Sequence, residues 1–68
     1  MPVITIYMMQ GRSEEQKAQL VKEITEVTCR ILNTQKEEVI VAIVELPDTN
    51  IGRAGVLLSR ETSKESSF

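Results

Sequence analysis

The sequence predicts an α/β fold: a single β-α-β unit with a short C-terminal hairpin, assembled into an oligomer. Three observations carry that expectation. Two apolar runs of strand length, residues 3–9 and 39–46, flank one stretch with helical spacing. Both runs are apolar at nearly every position, so both faces of the sheet need cover. The chain has 68 residues, and a domain of that size buries only about 60% of its unfolded surface and is marginal by itself.

The first run, VITIYMM, is β-branched, aromatic or apolar almost throughout, with Thr5 its one interruption. Gln10-Gly11-Arg12 reads as a turn. Ser13 is a good N-cap, and Gln16 three residues later completes a capping box. Glu14 and Glu15 fall in the first turn, where the helix dipole favours negative charge. Leu20, Ile24, Val27 and Ile31 then recur at spacings of 4, 3 and 4, widened by Val21 and Leu32. That stripe predicts an amphipathic helix of about five turns, with Lys17, Lys22, Glu23, Glu26 and Arg30 mostly on its wet side. Asn33 tolerates the left-handed conformation that ends a helix.

The second run, VIVAIVEL, occupies 39–46. Strand, helix and strand at this spacing imply parallel strands joined by a right-handed crossover. Pro47-Asp48-Thr49-Asn50 is a turn, and GRAGVLL at 52–58 has two glycines that let the chain double back as a short hairpin. The domain is expected over 1–58, with 59–68, SRETSKESSF, as a polar C-terminal tail. One helix covers only one face of a two-stranded sheet. The other face is apolar as well, and a second copy of the chain is its simplest partner.

Composition removes whole classes of function. Histidine is absent and Cys29 is the one cysteine, so an intrachain disulfide, a zinc site and a Ser-His-Asp triad are excluded, and no cofactor or metal is expected. The net charge is −2 and the basic residues are dispersed, unlike a nucleic-acid binder. No apolar run reaches membrane-spanning length, and the N-terminus lacks the pattern of a signal peptide. A cytoplasmic protein is expected, in keeping with the single thiol.

The chemistry concentrates near the N-terminus. Pro2 follows the initiator Met at the head of the first apolar run; GRSEEQKAQLVKEITE covers 11–26; the second run ends in Glu45; NIGRAG covers 50–55. In these features, over roughly residues 2–58, the chain resembles the 4-oxalocrotonate tautomerase family of small subunits with an N-terminal proline. The resemblance implies a keto-enol tautomerase, an isomerase, acting on a small enol or keto acid of the 2-hydroxydienoate type. It also implies an oligomer, most simply a hexamer built as a trimer of dimers.

Pro2 suits that role chemically. Once Met1 is removed its nitrogen is a free secondary amine. An ordinary α-amino group has a pKa of about 7.7–8.0; an apolar site and nearby cations such as Arg12 both disfavour the protonated form. A neutral amine can take a proton α to a carbonyl and return it elsewhere. By the same resemblance Arg12 binds a substrate carboxylate, whose planar oxygens match a guanidinium fork.

The sequence also departs from the family pattern. Members acting on dicarboxylates carry a second arginine near the start of the second main strand, supplied by a neighbouring subunit; Ile40 stands there. They carry an aromatic in the turn after that strand; Ile51 stands there, apolar but smaller. Arg53 occupies a position that is usually apolar, where it either supplies the missing cation or is an exposed hairpin arginine. Tyr7 reads as a strand side chain packed on a neighbour, with a hydroxyl that orients a substrate as the alternative, and Cys29 reads as packing filler. Three readings follow: a homo-oligomeric tautomerase, a partner subunit in a hetero-oligomer with a related chain, and a binding module without chemistry. A hydratase or dehalogenase of the same superfamily needs a group to activate water, for which Glu45 is the nearest candidate.

Overall fold

The computed structural model describes residues 1–61; residues 62–68, most of the expected polar tail, lie outside the described residues. The chain runs as strand β1 (Val3–Met9), helix α1 (Glu14–Leu32), strand β2 (Ile40–Leu46) and a small hairpin of β3 (Gly52–Arg53) and β4 (Val56–Leu57). Short helical turns at Lys36–Glu38, Asp48–Asn50 and Leu58–Arg60 join or follow these elements. This is the expected β-α-β unit with its hairpin, and β1 and β2 are parallel, in register from Val3 opposite Ile40 to Met9 opposite Leu46.

The helix begins and ends where local chemistry directs. The Gln16 N–H donates to Ser13 Oγ at 3.1 Å, and the Ser13 N–H donates to Gln16 Oε1 at 3.0 Å. Two amides that the helix would otherwise leave unpaired are thus satisfied. Asn33 closes the helix with φ 54°, its N–H directed to the Cys29 carbonyl.

Alternation along the strands sorts their side chains. Ile4, Ile6, Val41 and Ile43 lie half-buried beneath the helix. Val3, Tyr7, Ile40 and Val44 point to the opposite face and are exposed. The helix presents Leu20, Val21, Ile24, Thr25, Thr28 and Cys29 to the sheet, and Thr28 satisfies its hydroxyl by donating to the Ile24 carbonyl at 2.7 Å.

Two expectations about the helix change. Val27 and Ile31, read as part of the buried stripe, are 44% and 66% exposed. Two strands lie only about 4.8 Å apart, whereas a helix with side chains is about 10 Å across, so the apolar arc of α1 overhangs the ribbon. Lys17, read as solvated, instead lies half-buried, and its Nζ donates to Glu45 Oε1 at 3.0 Å. That ion pair ties the first turn of α1 to the end of β2.

The fold also continues past residue 58. Ser59 and Arg60 complete a helical turn begun by Leu58, and Glu61 pairs with Arg53. Leu58 is the one buried residue among those described. It anchors this C-terminal segment against the rest of the chain.

Candidate active site

Beyond the end of β1 and β2 lies a recess of about 400 Å³. Its walls come from four places in the chain: Tyr7, Met8 and Met9 at the end of β1, Leu46 at the end of β2, Ile51 before the hairpin, and Leu58 after it. Arg12 supplies its cationic group.

Several local features put Arg12 there. Gln10 extends the sheet by one bond, its N–H donating to the Leu46 carbonyl at 3.1 Å. Gly11 then turns the chain with φ 121°, a region that disfavours a side chain. Ser13 caps the helix immediately afterwards. Arg12 is therefore held between a sheet end and a helix start. An apolar recess with one guanidinium at its edge suits a small carboxylate, because the cation fixes one end of the ligand and the apolar walls take the rest.

Pro2 lies elsewhere. Its carbonyl accepts a hydrogen bond from the Ile40 N–H at 3.0 Å. A proline suits the first position before a strand because it has no N–H to donate to a ladder. Between Pro2 and the Arg12 turn runs all of β1, which has 7 residues and is therefore roughly 20 Å long. Within one chain Pro2 and Ile40 occupy one end of the sheet, and Arg12 and Ile51 the other.

Arg53 belongs to neither end. It stands in the hairpin, where its Nη2 donates to Glu61 Oε1 at 2.8 Å and to Oε2 at 2.9 Å, and its Nε donates to Oε2 at 3.2 Å. Glu45, the candidate for activating water, has its carboxylate engaged by Lys17 on the helix side of the sheet. Among the described residues no group of three or more His, Cys, Asp or Glu could hold a metal ion. None of the helices among those residues is long and apolar enough to cross a membrane.

Sequence reasoning missed the places of Met8, Met9, Leu46 and Leu58 as pocket walls. Leu46 and Leu58 carry no chemical signature, and only the strand register and the buried anchor bring them together. A larger recess, about 850 Å³, runs beside the C-terminal half of α1. Its lining mixes Lys22, Arg30 and Lys36 with Glu26 and Glu37. It contains none of the residues that the sequence marked for substrate, and it presents both signs of charge to any ligand. The smaller recess is the better carboxylate site despite its size.

The arrangement is a proline-headed β-α-β unit with an arginine beside an apolar recess. The sequence profile of the tautomerase enzyme family matches residues 2–61. The chain belongs to that family, in its 4-oxalocrotonate tautomerase branch. A probable tautomerase from Streptococcus pyogenes is 48% identical over 48 residues, covering 71% of this chain and 79% of that protein. A 2-hydroxymuconate tautomerase from Pseudomonas putida is 40% identical over 55 residues, covering 81% of this chain and 87% of that protein. A solved 4-oxalocrotonate tautomerase homologue superposes with a TM-score of 0.86 at 33% identity, covering 93% of this chain and all of that one. A heterohexameric 4-oxalocrotonate tautomerase from Chloroflexus aurantiacus superposes with a TM-score of 0.83 at 30% identity, covering 88% of this chain and 97% of that one. The protein is accordingly an isomerase of the tautomerase type.

Proposed function

We propose that the chain is a keto-enol tautomerase in which the free nitrogen of Pro2 is the general base and Arg12 the carboxylate clamp, working on a small acid of the 2-hydroxydienoate type. In that reaction the amine takes the proton of the enol hydroxyl. The carbonyl forms as the double bonds shift, and the protonated proline returns a proton to a carbon of the former diene. Nothing is consumed, so no cofactor is needed.

The single observation that carries the arrangement is the separation of Pro2 from Arg12 by the whole of β1. Two groups at opposite ends of one strand serve a common substrate only if they come from different chains. A two-fold axis across the strand brings the start of β1 in one copy to the end of β1 in the other. The uncovered apolar face of the sheet, with Val3, Tyr7, Ile40 and Val44 exposed, supports such association. A homo-oligomer in the cytoplasm, with six copies as the first choice, is the assembly we favour. The Chloroflexus relative, a heterohexamer, and the Ile40 in place of an arginine support a second arrangement, in which a related chain supplies the missing cation. Capture of Glu45 by Lys17 argues against a hydratase or dehalogenase.

Pro2 acts only if Met1 is removed, since an attached methionine makes its nitrogen an amide. Met1 is 81% exposed, so its removal disturbs no packing. Intact-mass spectrometry is expected to show a chain beginning at Pro2, and Pro2→Ala is expected to lose most turnover of 2-hydroxymuconate while sedimenting as the wild type does. Retention of Met1 in most molecules of an active preparation, or full activity in Pro2→Ala, refutes the role.

A further inference from the structure

Lys17 and Glu45 are motif residues to which the reaction assigns no task. Both are half-buried, and the Lys17 Nζ donates to Glu45 Oε1 at 3.0 Å. Their neighbours in the chain belong to the Arg12 recess. One residue beyond Glu45 is Leu46, a wall of that recess. The Lys17 N–H donates to the Ser13 carbonyl at 3.1 Å, and Ser13 adjoins Arg12. On the other side of Arg12, the Gln10 N–H donates to the Leu46 carbonyl, also at 3.1 Å. The turn that carries Arg12 is therefore tied on both sides to the last two residues of β2.

Such a turn needs its ties. Gln10, Gly11 and Arg12 are exposed, so burial does not hold them. Gly11 has φ 121°, and no atom beyond its chain neighbours lies within 4 Å of where a Cβ would stand. A glycine in open space changes its angles at little cost, and the start of α1 would swing about it. An ion pair from the first turn of the helix to the end of the strand blocks that swing.

We propose that Lys17 and Glu45 are positioning residues: their ion pair fixes the start of α1 against the end of β2 and so holds Arg12 beside the recess, where it receives a substrate carboxylate. The proposal rests on Arg12 being the carboxylate clamp. Neither Lys17 nor Glu45 lines the recess, so both act through Arg12. The placement matters because a guanidinium fork depends on distance and angle together.

Binding of adipate, a saturated diacid that cannot tautomerise, tests this without involving Pro2 as a base. Lys17→Met and Glu45→Met keep the stems and remove the pair. In calorimetric titration well below the melting temperature, each is expected to weaken adipate about tenfold, the lower end of a lost charge-assisted contact. The double variant is expected to lose no more than either single one, because the two residues act as a unit. Lys17→Arg keeps the cation and is expected to stay within a few-fold of the wild type. The sign for Glu45→Met separates positioning from simple attraction, since removing a negative charge alone would tighten an anion. In the wild type, the Gly11 and Arg12 amides are expected to have order parameters near the rigid-backbone value of about 0.85, a measurement that needs no variant to fold. Unchanged or tighter binding in Glu45→Met, additive losses in the double variant, or wild-type order parameters below about 0.6 overturn the proposal. Arg12→Ala is titrated alongside. Unchanged binding there overturns the clamp and the proposal with it, whereas a loss there without one in the pair variants overturns the proposal alone.

Discussion

Arg12 occupies an electrostatically awkward place. It precedes the cap of α1, where the partial positive charge of the helix end disfavours a cation. Its position is better explained by the recess it lines than by helix stability. Arg12→Ala is therefore expected to lower kcat/KM for one- and two-carboxylate enol acids alike. The loss of a charge-assisted contact, about 1.5–3 kcal/mol, corresponds to about one to two decades. Thermal melting by circular dichroism is expected to show no loss of helix stability. A variant with full kcat/KM but a lower melting temperature would make Arg12 a structural residue. The roles proposed for Pro2 and Arg12 come from the sequence because the chemistry is local: a ring nitrogen at a chain start, and a guanidinium in a turn before a cap. The pairings of Lys17 with Glu45 and Arg53 with Glu61 were not legible there, since partners 28 and 8 residues apart across turns leave no periodic trace. The first pair joins two motif residues that the sequence offered separately, and the second ties the hairpin to the C-terminal segment.

The elements were legible where short-range rules act alone. The capping box and the left-handed Asn33 stand as the residues dictate. The helix stripe was legible in kind but not in width. Periodicity marks an apolar face without saying how wide a sheet will cover it, and Val27 and Ile31 therefore read as buried although α1 overhangs its own two strands. The hairpin offers the clearest quantitative test. Arg53 pairs with Val56 across a two-residue turn in which Ala54 has φ 55° and Gly55 has φ 82°. Two positive angles are the signature of a type I′ turn, for which Asn-Gly is the preferred pair. A left-handed conformation costs an ordinary L-residue roughly 1–2 kcal/mol, and asparagine recovers part of it. Ala54→Asn is expected to stabilise the protein by about 0.5–1 kcal/mol per chain. That appears as a higher urea midpoint with unchanged slope at fixed protein concentration. A lower midpoint would mean that the Ala54 methyl group makes a contact in the assembly that asparagine cannot replace.

At the scale of the molecule, a chain whose described residues include a single buried side chain, Leu58, is an unfinished object. Its outer sheet face is apolar, its helix overhangs, and the two residues proposed for its site stand at opposite ends of a strand. One remedy serves all three: copies that cover each other's faces and lend each other's ends. If each site takes Pro2 from one chain and Arg12 from another, two inactive proteins can repair each other. Consider Pro2→Ala and Arg12→Ala, each purified separately and each nearly inactive, then unfolded together and refolded. In a hybrid pair, one site combines the two damaged residues and stays dead. The other combines the intact Pro2 of the Arg12→Ala chain with the intact Arg12 of the Pro2→Ala chain and is wild type in every group. Random mixing of equal amounts makes half of the pairs hybrid, each with one restored site, so activity is expected to recover to about a quarter of the wild-type value per site, far above the sum of the parents. Refolding the same proteins separately and mixing them afterwards supplies the control, and sedimentation equilibrium confirms that both preparations have the same mass. Recovery only after joint refolding establishes a site shared between chains. If joint refolding gives no more than the parents' own residual rates while the oligomer forms normally, Pro2 and Arg12 do not meet across an interface, and the proposed site is wrong.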